Sequence, residues 1–184
     1  MKREVFIWRL LNNPDMYTNI SIEEVKINYA KLNKDQIRFF EIILDELDKC
    51  CCEYIDKEKT KANITNEKCG PLLSLKIFPK EGDNEIDIAF DPKQMSVLFA
   101  GWHDNGIYEE WDKKDCGFDM LKLLQNLITG NIKIVEFRTN KKPYHWKSYI
   151  HKDGEWVVKS GVSNMWYNIF GRRTKSEIIF GKIN

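Results

Sequence analysis

Between residues 72 and 100 apolar side chains recur at alternate positions in three short runs, separated by turn formers. Leu72–Phe78 ends at a turn through Pro79–Asn84. In the second run, 85–90, Ile86, Ile88 and Phe90 alternate with Asp87 and Ala89, and a tight Asp91-Pro92 turn leads into 94–100. A period of two places successive residues on opposite faces of a strand, so such runs bury one face and leave the other solvated. The expectation is an antiparallel meander forming the middle of a sheet.

A different period governs 34–55. Asn33 is a helix cap, and Ile37, Phe40, Leu44, Leu47, Cys51 and Tyr54 recur at spacings of three and four, predicting an amphipathic helix over 34–55. Its other face carries Glu41, Asp45 and Asp48 and reads as solvated. A second helix is predicted over 115–129 from Phe118, Leu121, Leu124, Leu127 and Ile128, stopped by Gly130. Further strands are expected at 132–138, 144–151, 155–159 and 177–182, with Asp153-Gly154 as a hairpin turn and a short amphipathic piece at 164–170. Near the start, Val5–Ile7 and Ile20–Leu32 are read as strands, the second also compatible with a helix. The polar stretch 56–70 reads as a loop. Together these predict a single α+β domain over 1–184, with two main helices on one largely antiparallel sheet of about six to eight strands.

A chain of 184 residues with 42% hydrophobic side chains and six tryptophans can bury a core without staples. Arg9 interrupts the only apolar run near the start and no small-residue cleavage site follows, so no export signal is read. No stretch is apolar enough to span a membrane. Five cysteines, three of them adjacent at Cys50, Cys51 and Cys52, make neither a disulfide framework nor a zinc pattern. A cytoplasmic, reducing location is expected. The net charge of +1 hides a division: 81–119 holds eleven acids against three bases, and 120–184 holds twelve bases against four acids. Such asymmetry speaks to partners rather than to fold.

Few arrangements for catalysis exist. On a strand His145, Lys147, Tyr149 and His151 share a face, but six residues separate the two imidazoles by roughly 20 Å, too far for an acid and a base on one phosphate. His103, beside Asp104, has no second ligand at a metal-binding spacing. Phosphate-binding glycine loops and a nucleophile elbow are missing from the sequence. The chain is therefore expected to be no enzyme and to use no metal and no cofactor. Small-hydrolase chemistry at His103 or His145 is the third-ranked reading, without an evident substrate.

Two binding readings compete. Trp102, Tyr108 and Trp111 stand among Asp104, Glu109, Glu110, Asp112 and Asp115, and aromatic anchors inside a charged rim are how protein hot spots are built. The same aromatics can instead be core residues beneath a solvated loop. Farther on, Lys141, Lys142, Tyr144, His145, Trp146, Lys147, Trp166, Tyr167, Arg172, Arg173 and Lys175 interleave rings and cations as single-stranded nucleic acid requires.

The stretch Ser96-Val-Leu-Phe-Ala-Gly-Trp-His-Asp104, with acidic residues and then the helix Leu121–Ile128 and Gly130 after it, resembles immunity proteins of bacterial polymorphic-toxin and contact-dependent growth inhibition systems. Several of those families place Trp-His after an alternating strand and ahead of a helix. The resemblance covers about residues 85–140. A second His two positions after the first is replaced here by Asn105, with Gly106 following, so no histidine-pair role carries over. The resemblance implies a small cytoplasmic protein that neutralises a cognate toxin, often a nuclease, by covering its active site. On that reading the partner-binding residues are Trp102, His103, Asp104, Tyr108, Glu109, Glu110, Trp111, Asp112 and Asp115, and nucleic-acid binding by the basic aromatic region is the alternative.

Overall fold

The computed structural model describes residues 29–68, 70–108, 116–163 and 172–181. The expected Val5–Ile7 strand, most of the 20–32 segment and the short piece at 164–170 lie outside them. The described end of the 20–32 segment is not a strand but a single 3-10 turn, Tyr29–Lys31, closed by Leu32 N–H donating to the Tyr29 carbonyl at 3.1 Å.

The meander forms where the period of two predicts it. Strands Lys61–Glu67 (β1), Gly70–Ile77 (β2), Ile86–Phe90 (β3), Gln94–Phe99 (β4) and Trp102–Ile107 (β5) pair antiparallel in sequence order. Cross-strand rows Leu75–Ile88–Val97 and Ile77–Ile86–Phe99 bury one face of the sheet almost completely. Each such side chain contributes about 1.5–3 kcal/mol relative to exposure. Two of these strands correct the expectation of loops. β1 is an edge strand in which only Ala62 is fully buried, so its hydrophobic alternation is weak. β5 carries His103-Asp104-Asn105-Gly106, poor strand formers held in place by pairing with β4.

Helix Lys34–Glu46 (α1) begins with a reciprocal cap: Gln36 N–H donates to Asn33 Oδ1 at 2.9 Å, and Asn33 N–H to Gln36 Oε1 at 3.0 Å. Gln36 is also fully buried, and its Nε2 donates to the carbonyls of Pro71 and Phe90, each at 2.8 Å. The cap thereby ties the helix to β2 and β3, and Phe40 packs edge-on against Phe90 at 5.7 Å. The 34–55 helix expected from periodicity is shorter. Past Glu46 the coil widens into a π-helical segment, Leu47–Cys51, and the chain then turns into a bridge between Ile55 and Pro79. Helix Cys116–Ile128 (α2) lays Leu123, Leu124, Leu127 and Ile128 into the same core, and Gln125 hydrogen-bonds Glu46 across the two helices.

The single sheet of six to eight strands is corrected to two antiparallel sheets. The second, of four described strands, contains Ile132–Thr139 (β6), Lys142–Lys152 (β7), Glu155–Ser163 (β8) and Arg173–Ile179 (β9), in the order β8-β7-β6-β9. β6 is flanked on both sides by its own sheet partners and has no edge to offer β5, so the ladder breaks where α2 intervenes. The Asp153–Gly154 hairpin forms as expected, both residues at positive φ. The sheets meet at the β4–β5 turn, where Gly101 lies beneath the Trp146 indole, and at Phe99, whose ring lies 6.3 Å from that of Phe180. Ile132, Ile134 and Trp146 of the second sheet join the helices and the first sheet in one core. Among the described residues no helix is long and apolar enough to cross a membrane.

Candidate functional site

The segment Ser96–Asp104 is the β4–β5 hairpin, closed by Ala100 and Gly101, both at positive φ. Antiparallel pairing assigns its faces. Phe99 opposes Trp102 and both are buried; Leu98 opposes His103 and both are exposed on the other face. Trp102 is 1% exposed, and its indole N–H has no hydrogen-bond partner among the described residues. Tyr108 is 4% exposed and stacks on Phe39 at 4.8 Å and 9°. Burial, with Asp91 and Asp35 nearby, pushes its hydroxyl pKa far up. Both rings are therefore core residues in this fold and do not present themselves as surface anchors. His103 projects outward, while Asp104 is half-buried at the sheet margin with Oδ1 accepting from Asn105 N–H at 3.0 Å. Glu109, Glu110, Trp111, Asp112 and Asp115 lie outside the described residues.

Beside this hairpin the outer face of the first sheet continues as Asp87 and Lys76 in the same cross-strand row as Leu98 and His103. Lys76 bridges Glu85 at 2.9 Å and Asp87 at 3.6 Å. Burial raises the Asp87 carboxyl pKa, against the pull of Lys76. Leu98 is 42% exposed, an apolar side chain in the middle of this polar row.

A second constellation, undivided between the sheets, lies on the outer face of β6–β9. His145, Lys147, Tyr149 and His151 share that face of β7, as their alternation predicts, with Lys133 and Phe137 of β6 beside them. Trp146 points the opposite way, into the core, where Nε1 donates to Glu136 Oε2 at 3.2 Å while Arg138 pairs with the other carboxylate oxygen. Trp166 and Tyr167 lie outside the described residues. Sequence reasoning missed Lys133, Phe137 and Trp156 as members of this face, because the neighbours come from three strands and only the register brings them together.

The described histidines do not gather with other acids or bases into a catalytic set: His103 sits on the first sheet and His145 and His151 on the second. Among the described residues no three His, Cys, Asp or Glu side chains converge as metal ligands would. A small cleft between the helix ends and the second sheet, of about 300 Å³, is lined by Glu53, Tyr54, Lys80, Glu81, Gly130 and Phe180. No family model, no curated protein and no solved structure matches this chain.

Proposed function

We propose that this chain is an immunity-type inhibitor, which binds a cognate bacterial toxin through the outer face of the β4–β5 hairpin and the acidic segment that follows it. The observation that carries the reading is the division of labour within Phe99–His103. Trp102 and Phe99 lock the hairpin into the core, and this holds Leu98 and His103 outward as a fixed cross-strand pair. A rigid strand pair loses little conformational freedom on binding, which favours affinity. An exposed leucine beside an imidazole, ringed by Asp87, Lys76 and Asn105, has the apolar centre and polar rim of a small interface. Relative to the sequence reading, in which Trp102, Tyr108 and Trp111 are anchors, the role of Trp102 and Tyr108 passes to Leu98 and His103. Glu109, Glu110, Asp112 and Asp115 keep the role of meeting basic residues on the toxin and steering encounter, whereas Asp104, paired with buried Val97, lies on the Trp102 side of the hairpin and leaves this outer surface.

The test uses the reading frame directly upstream. Its encoded C-terminal domain, induced alone in a heterologous bacterium, is expected to arrest growth, and co-expression of this chain is expected to restore it. Absence of arrest, or arrest that this chain does not relieve, would overturn the inhibitor reading.

A further inference from the structure

The outer face of the second sheet is built as a platform of rings framed by cations. Tyr149 of β7 and Trp156 of β8 flank Lys133, whose ammonium lies 5.7 Å from the Tyr149 ring and 4.7 Å from the Trp156 ring. The same ammonium bridges Glu177 at 2.9 Å, so Lys133 is spent within the protein and serves to hold the two rings in place. His151 packs on Trp156 at 5.1 Å, extending the platform to the end of β7. Two rows along, Phe137 packs on His145 at 5.3 Å, and the Lys147 ammonium lies 5.9 Å from the Phe137 ring. His145 is itself fixed by a hydrogen bond to Ser163.

Charge on this face is one-sided. Register places Lys147, Lys175 and Arg173 on it with Lys133, and Glu177 is the one carboxylate on the face among the described residues. Glu177 is taken by Lys133, and Lys147, Lys175 and Arg173 form no ion pair among the described residues. Opposite Lys147, β8 carries Gly161, so no side chain of that strand stands directly across from the lysine. Tyr149, Trp156 and His145 remain partly exposed on this face, and partly exposed rings beside cations without carboxylate partners along the same strands match a ligand that alternates flat π-systems with phosphates. An acidic polypeptide would satisfy the cations but would leave the rings without a stacking partner.

We propose that the outer face of β6–β9 binds single-stranded nucleic acid, with bases stacking on Tyr149, Trp156 and His145 and phosphates paired to Lys147, Lys175 and Arg173. This site is separate from the β4–β5 surface, and it stands or falls independently of the inhibitor reading. Three neutralised phosphates on a single strand give a slope of about −2 in log affinity against log salt, so binding should weaken roughly twentyfold between 50 and 200 mM salt. The experiment is fluorescence anisotropy of the full chain with a labelled twelve-nucleotide oligothymidylate, against a duplex of equal length and with polyglutamate as competitor.

The expected result is salt-dependent binding that prefers the single strand and quenches tryptophan fluorescence. Trp156→Ala should weaken it by about fivefold to a hundredfold, as loss of one stacked base does. Lys147→Ala and Lys175→Ala, both surface changes that leave the circular dichroism spectrum intact, should each reduce the salt slope by about 0.7. No binding at 50 mM salt, equal affinity for duplex, a slope unchanged by the lysine variants, or displacement by polyglutamate as effective as by unlabelled oligonucleotide would each overturn the proposal, the last in favour of an acidic protein partner.

Discussion

Glu41 carries a penalty that a neutral side chain would relieve. It sits half-buried on α1, and burial pushes its carboxyl pKa from 4.5 up to about 7. The folded state therefore binds this proton more tightly than the unfolded chain does. Between pH 4.5 and 7 the native state holds more protons, so the Glu41 contribution to stability is greatest at low pH and declines as pH rises through the folded pKa. Glu41→Gln is expected to raise the melting temperature at pH 8 and to change it little at pH 4, as followed by circular dichroism. An equal shift at both pH values would mean that the carboxylate is not desolvated as the fold implies. Gly101 is the opposite case, a residue that tolerates no addition. Its φ is +80°, and an added Cβ would lie 2.8 Å from Nε1 of the buried Trp146. Gly101→Ala should cost about 2–4 kcal/mol in urea unfolding, from backbone strain and overpacking together. A loss below about 0.5 kcal/mol would show that the sheets are not in contact there.

At the scale of elements, three two-residue hairpins share one conformation. Ala100–Gly101, Asn140–Lys141 and Asp153–Gly154 all have both turn residues at positive φ. Asp-Gly announces such a turn in sequence; Asn-Lys does not, since lysine rarely adopts that conformation. Relief of that strain makes a stabilising prediction: Lys141→Gly should gain about 0.5–1 kcal/mol in chemical unfolding, whereas a loss would place the turn in another geometry. The same contrast explains what was legible beforehand. β2, β3 and β4 announced themselves because every second residue is apolar and fully buried over most of their length. β1 and β5 did not, because edge strands bury little and are held by pairing rather than by their own pattern. The C-terminal shortening of α1 was hidden for a related reason: Leu47 and Cys51 keep helical spacing and stay buried through the π-helical segment, so periodicity continues past the end of the α-helix.

At the scale of the whole molecule, the break into two sheets creates two outer faces with different chemistry. Alternation along one strand could place His145, Lys147, Tyr149 and His151 together, but adding Lys133, Phe137 and Trp156 required knowing that β7 lies between β6 and β8. In the hairpin, alternation along one strand did not reveal which side chains face the core. Trp102, His103 and Asp104 are adjacent in sequence, yet a strand sends Trp102 into the core and His103 away from it. A tryptophan in a polar stretch reads equally well as anchor or as core until its cross-strand partner, here Phe99, is known.

On the proposed inhibitor reading, Leu98 and His103 form the centre of the partner-binding surface. The most direct measurement is a calorimetric titration of the purified toxin domain into wild-type chain and into a Leu98→Asp, His103→Ala variant whose melting temperature matches wild type. The prediction is a one-to-one complex with the wild type and at least a hundredfold weaker binding by the variant, about the loss expected when a hot-spot centre is removed. Undiminished affinity of the variant, or no complex with the wild type, would contradict it.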